Sequence, residues 1–151
     1  KRLLATLSPD DQSSAANAVR GATLYHREWL AFNEQRTRMR WAWHGFFQDH
    51  DVLLAPVGLT AAFPHNQEPD RDKRFLTVNG RPVPYQDQLF WAGLATTAYL
   101  PATSAPLGLS PEGLPVGLQI IGPELADRQT IDVARLLAGE IGGFTPPPGY
   151  G

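Results

Sequence analysis

The groups in this chain that could activate a nucleophile or hold a metal are few and scattered. The four histidines are His26, His44, His50 and His65. No two of them share a helix face at the spacing that lets a pair of imidazoles hold one ion, so no metal site is expected. His26 and His44 fall on a helical pattern and read as structural or solvent-facing, while His65, in Pro64-His65-Asn66, is the most loop-like. A serine nucleophile needs a tight glycine-rich turn and a neighbouring base. Ser13-Ser14 sit in a predicted helix without glycine, Ser104 lies between Thr103 and Ala105 with no evident partner, and Ser110 is in a turn. The only lysines are Lys1 and Lys73. Asp10-Asp11 reads as a helix start, and Asp70 and Asp72 read as loop charges. Taken by themselves, these residues form no catalytic constellation.

One polar side chain stands out for a different reason. In Gly113-Leu114-Pro115-Val116-Gly117-Leu118-Gln119-Ile120-Ile121-Gly122, an amide interrupts an apolar run. Gly113 and Pro115 shape the turn that leads into the strand, and Gly117 permits close approach of another element. If Gln119 is buried it must find partners, because an unsatisfied amide costs about 1–3 kcal/mol. Its expected role is to pin a loop of the same fold; the plainer alternative is an edge strand with Gln119 facing water.

The elements that must position these groups follow from pattern. The chain has 151 residues, 42% hydrophobic and 19% charged, with a formal net charge of -2, which suits one globular domain. No dense Lys/Arg face is present, so nucleic acid is not an expected partner; Arg36, Arg38 and Arg40 read as a solvated helix face. No apolar run approaches the ~20 residues of a membrane span. The absence of cysteine excludes disulfides and thiolate chemistry and fits a cytoplasmic location.

Ser8-Pro9 suggests an N-cap and first helical position, with a short helix to about Val19. Residues 22–48 carry Tyr25, Trp29, Phe32, Arg36, Met39, Trp43, Phe46 and Phe47 at alternating spacings, which predicts a long helix packing this stripe into a core. Asp51–Pro56 reads as a buried strand, 57–74 as a surface loop, and Asn79-Gly80 as the turn of a hairpin over 75–83. Residues 85–100 read as a largely buried helix ended by Pro101. Residues 102–115 read as a turn region, Val116–Ile121 as a strand, and 127–140 as a closing helix with Ile131, Ala134, Leu137, Ala138 and Ile141 on its apolar stripe. The tail from Phe144 reads as extended. Helices alternating with short strands predict an α/β fold with an at least partly parallel sheet.

Pro101-Ala-Thr-Ser-Ala-Pro-Leu-Gly108, then the Gly113–Gly122 run, then Asp127 before an Ala/Leu-rich helix, resemble the C-terminal end of the amidase signature family. Asp51–Pro56, Val78-Asn79-Gly80 and Trp91 keep the family's order upstream, so the resemblance runs from about Arg20 to Ala138. Such enzymes hydrolyse or transfer amides with a Ser–cis-Ser–Lys triad, whose nucleophile lies in a Gly/Ser-rich segment of the N-terminal half and whose lysine lies further upstream. That segment is not in this sequence. The resemblance therefore implies that residues 1–151 are the C-terminal segment of one amidase-type domain, part of a mixed β-sheet core covered by helices, with the catalytic N-terminal half elsewhere. No catalytic residue is carried over and no cofactor is implied.

What the resemblance assigns to this half is substrate contact. Trp91, Ala95 and Thr96, before Pro101, and Phe75 near the hairpin are the candidate pocket residues, and an aromatic wall with small neighbours suits an apolar or aromatic acyl group. Trp91 as plain core is the competing reading. Thr96 stands near where the branch that makes amidated transfer RNA tends to show Asn, which counts against that branch. The expected partners are the N-terminal half, a small-molecule amide and a second copy of the chain. Two functions follow: the C-terminal portion of an amide hydrolase, inactive by itself, or a non-catalytic binding or assembly subunit that keeps part of the fold.

Overall fold

A computed structural model describes residues 4–150; Lys1, one of the two lysines weighed above, lies outside them. In chain order the structure has helices α1 (Ser14–Ala22) and α2 (His26–Phe46) and strand β1 (Leu53–Pro56). Strands β2 (Phe75–Val78) and β3 (Arg81–Pro84) follow, then α3 (Leu89–Thr96), β4 (Ala102–Leu109), β5 (Pro115–Ile121) and α4 (Asp127–Ile141). Short 3-10 turns sit at Leu4–Thr6, Arg71–Lys73 and Tyr85–Gln88.

Strand β5 is the centre of a three-stranded sheet ordered β1-β5-β4. Both neighbours pair antiparallel to it, Leu53↔Ile121 to Pro56↔Leu118 on one edge and Ala102↔Ile121 to Leu109↔Pro115 on the other. The pairings are all antiparallel, unlike the expected partly parallel sheet, although β1 and β4 run parallel to each other across β5. Segment 102–109, expected as a turn because of its Pro, Ser and Gly, is a strand. Its outer edge is unpaired among the described residues, so Pro106 removes no ladder donor that is needed. A bulge between Pro106 and Gly108 absorbs Leu107.

The core lies where α4 covers one face of this sheet. Ala105, Leu118 and Ile120 are buried there, and Val133, Ala134 and Leu137 pack on them. The helix thus uses a stripe rotated from the expected one: Ile131, Ala138 and Ile141 are exposed. Thr130 sets this rotation. It is buried, its Oγ1 donates to the Asp127 carbonyl at 2.8 Å, and it shares a 2.8 Å bond with Thr103 Oγ1 on β4. Gly122 is required beside it, since a Cβ there would lie 2.6 Å from Thr130 Cγ2.

The hairpin β2–β3 forms as the sequence predicts. Asn79 and Gly80 take φ of 50° and 74°, the two left-handed positions of a type I′ turn. Two helix starts differ from expectation. Ser8 to Asp11 form a turn whose carbonyls are gathered by the Arg20 guanidinium. Helix α1 begins only at Ser14, where the Ser13 hydroxyl accepts from Ala16 N–H at 3.2 Å. The expected helix over 85–100 is a 3-10 turn followed by the short α3, with Leu89 and Phe90 exposed and only Ala95 buried within it.

Helix α2 has the expected length but not the expected burial. None of its residues is buried, and Trp29, Phe32 and Met39 of the predicted core stripe are exposed. At its C-terminal end Phe46 meets Phe47 edge-on at 5.1 Å and stacks on His50 at 4.3 Å, centroid to centroid. An aromatic stripe is buried only if another apolar surface meets it; of this stripe, Met39 and Trp43 line an apolar groove shared with α3.

Candidate functional site

Gln119 lies at the centre of the candidate site, bridging β1 and α3. On β5 it sits between Ala55 of β1 and Ser104 of β4, on the sheet face opposite α4. Only 7% of its surface is exposed. Its Nε2 donates two hydrogen bonds of 2.8 Å each, to the Pro56 carbonyl at the end of β1 and to the Trp91 carbonyl on α3. The amide therefore pins one loop start and one helix to the central strand, and the water-facing edge-strand alternative does not hold. Gly117, two residues back on the same face, leaves room for the β4 backbone: a Cβ there would be 3.3 Å from the Ala105 carbonyl oxygen.

Helix α3 carries three of the four predicted pocket residues. Ala95 is buried and Trp91 is half-buried. The Trp91 indole Nε1 is buried without a hydrogen-bond partner among the described residues, and its ring meets Phe90 edge-on at 5.2 Å. Thr96 is exposed and turns its hydroxyl back to the Ala92 carbonyl at 2.8 Å. The opposite side of α3 forms an apolar groove of about 260 Å³ with α2, lined by Met39, Trp43, Phe90, Gly93, Leu94 and Thr97. Trp91, Ala95 and Thr96 are outside it.

Phe75, the fourth candidate, lies apart from these three. It lines a cleft of about 790 Å³ between the loop after β1, the hairpin and the β4–β5 turn. His65, Tyr85 and Glu112 line the same cleft. Gln119 is the physical link between the two places, because the Pro56 carbonyl it holds precedes the cleft loop and the Trp91 carbonyl belongs to α3.

Most of the serines weighed as nucleophiles have other work. Ser14 Oγ donates to Asp72 Oδ1 at 2.5 Å and accepts from Gln86 Nε2 at 3.2 Å. Ser14 N–H also binds Asp72, at 2.9 Å. These two bonds, the hydroxyl's first, hold the Asp72 carboxyl below the ordinary carboxylate value. Asp11 is likewise lowered, chiefly by the Ser13 backbone N–H. Ser110 braces its turn by accepting from the N–H groups of Glu112 and Leu114, and its hydroxyl holds the Glu112 carboxyl low. Lys73 pairs with Asp70 at 3.5 Å on the surface. Among the described residues no three His, Asp or Glu side chains gather as metal ligands, and no helix is long and apolar enough to cross a membrane.

Pattern reading passed over one cluster, since arginines on a helix face read as solvated. Arg36 and Arg40 place their guanidinium carbons 4.9 and 5.5 Å from the centroid of the Tyr99 ring. Arg36 also donates to Tyr99 Oη and Arg40 pairs with Glu124. Tyr99 itself has φ of 60°, a left-handed position that a bulky residue seldom takes.

A family model described as Amidase matches residues 12–131. Curated relatives include a glutamyl-tRNA(Gln) amidotransferase subunit of Zymomonas mobilis, 32% identical over 130 residues, covering 86% of this chain and 24% of the relative. Its mitochondrial counterpart from Mus musculus is 40% identical over 85 residues, covering 56% and 15%. Among solved structures, a glutamyl-tRNA(Gln) amidotransferase subunit from Thermotoga maritima superposes with TM-score 0.64 and 25% identity, over 91% of this chain and 28% of its own. A crystal structure of an amidase superposes with TM-score 0.69 at 21% identity, over 90% and 29%, which is a likeness of fold. The chain spans about a quarter or less of the length of these curated relatives.

Proposed function

This chain belongs to the amidase signature family, and from that premise we propose that it is the C-terminal portion of an amide hydrolase, supplying sheet and substrate-pocket wall rather than the nucleophile. What carries the reading is the family match over residues 12–131 in a chain that spans only 24% of its Zymomonas relative. The Gln119 amide supports the wall role, because it locks the backbone under Trp91 to the central strand. In this reading Trp91, Ala95 and Thr96 shape the acyl side of the site, a nucleophile from the rest of the fold attacks the amide carbonyl, and the products are a carboxylate and an amine or ammonia. The exposed aromatics of α2 supply surface for the rest of the fold or for a second copy of the chain.

A second reading is an amidotransferase component. The names of the Zymomonas and Thermotoga relatives favour it, and Thr96, where that branch tends to show Asn, weighs against it.

The test has two parts. The chain of 151 residues alone is expected to leave aryl amides and esters intact; turnover abolished by Ser104→Ala would overturn the proposal. In the longer protein, Trp91→Ala is expected to move selectivity towards bulkier acyl groups with the fold retained. A loss of about 3–5 kcal/mol in stability with unchanged selectivity would make Trp91 core packing instead. A longer protein that cleaves no amide would favour a binding or assembly role.

A further inference from the structure

We infer that the cleft bounded by Phe63, Phe75 and Tyr85 is a binding site for a small aromatic amine in its ammonium form. At about 790 Å³ it has the size of a small-molecule site. Its lining includes the buried Leu76 and, beside the β4–β5 turn, Leu114. Phe63 and Tyr85 meet edge to face, 6.0 Å apart at 83°. That geometry satisfies one ring edge and leaves ring surface open to a further ring. Phe63 and Phe75 are both exposed at the cleft they line. A ligand ring would cover apolar surface that the fold leaves in water.

Charge decides which kind of aromatic ligand fits. Among the described residues, Glu112 is the one acidic member of the lining, and neither Lys nor Arg lines it. The Ser110 hydroxyl holds this carboxyl below the ordinary carboxylate value. Aromatic faces and a carboxylate both attract a cation, and an aromatic carboxylate would face Glu112 with nothing in the lining to compensate it. Tyr85 already engages a cation: the Arg74 guanidinium lies 5.9 Å from its centroid while its Nε is held by the Glu68 carbonyl at 2.6 Å. Arg74 itself is not among the lining residues. His65 and Asn66 add hydrogen-bonding groups along the wall. Trp91, Ala95 and Thr96 do not line this cleft, and binding here requires no amide cleavage, so the inference goes beyond the proposed function.

The experiment is a saturation-transfer and heteronuclear NMR titration of the chain as it stands with benzylamine, benzyl alcohol and benzoate. Saturable millimolar binding of benzylamine is expected, weaker binding of benzyl alcohol and none of benzoate, with shifts at Phe63, Phe75, Tyr85 and Glu112. Glu112→Gln should weaken benzylamine about threefold, the scale of an exposed ion pair, and leave benzyl alcohol unchanged. Phe75→Ala should weaken both about fivefold. Phe63→Ala serves in its place if circular dichroism shows that Phe75→Ala has unfolded the chain. Absence of saturable binding, benzoate binding as well as benzylamine, or indifference to both substitutions would each overturn the site while leaving the amide-hydrolase proposal standing.

Discussion

The unit β4–β5–α4 and the helix α2 are about equally rich in large apolar side chains, yet they end in opposite states. In the first, Leu118 and Ile120 are buried between sheet and helix and Ile121 on the other face of the sheet, and the buried polar side chains Thr130 and Gln119 are paired. In the second, a helix of 21 residues buries none, and Trp41 is 72% exposed. The difference shows what periodicity measures. A stripe at helical spacing says which side of a helix would be buried, and nothing about whether a partner is present to bury it.

Substitutions on the two sides should break that comparison most sharply. Ile120→Ala removes a side chain with 0% exposure and is expected to cost about 2–5 kcal/mol. Trp41→Ala on α2 should change stability by no more than about 0.5 kcal/mol. Paired urea melts would read both; equal losses would mean that α2 contributes to the cooperative unit after all.

A smaller effect sharpens the same contrast from the polar side. Gln119→Leu keeps the bulk and removes the donors of two carbonyls, so about 2 kcal/mol should be lost. Amide exchange should rise on α3 and at the start of the cleft loop while α4 keeps its protection. An increase spread evenly over the sheet and α4 would show that the amide holds the whole core rather than α3 and one loop.

The smallest expected effect is at the edge of the molecule, where Asp72 ties the start of α1 to the loop before β2. Its carboxyl titrates lower in the folded chain than when free, so the tie stabilises α1 above the ordinary carboxylate range. It is lost as pH falls through the depressed folded value. Acidification should therefore free the Ser14 amide before β5 responds, and Asp72→Asn should remove this pH dependence. The pH profile of Ser14 exchange, followed by NMR, checks the sign.

What could be read from the sequence divides along the same line. The hairpin was legible because Asn79-Gly80 is a local instruction that needs no distant partner. The pinning role of Gln119 was legible because a lone amide in an apolar run must be paired if it is buried. Strand β4 was missed because Pro106 and Gly108 signal a turn, and only the open edge of β5 turns the segment into a strand. The apolar stripe of α4 was placed too far round because Thr130, a polar residue, takes the most buried position. Of the candidate site residues, Phe75 was not separable in sequence from Trp91, Ala95 and Thr96, since only the folded chain shows that it lines the cleft beside the hairpin while the other three line neither that cleft nor the groove with α2.

The position of β5 between a near and a distant neighbour has a consequence for the order of assembly. The partner β4 is joined to β5 by one short turn braced by Ser110, whereas β1 returns to it only after the excursion from Pro56 to Pro115. Closing the longer loop costs about 2 kcal/mol more in chain entropy. The hairpin β4–β5 should therefore nucleate, with β1 arriving as a late strand that Gln119 then fastens through the Pro56 carbonyl. Pulse-labelled exchange during refolding should protect the Ala105–Leu118 pairing before the Leu53–Ile121 pairing. Simultaneous protection would mean that the sheet condenses in a single step.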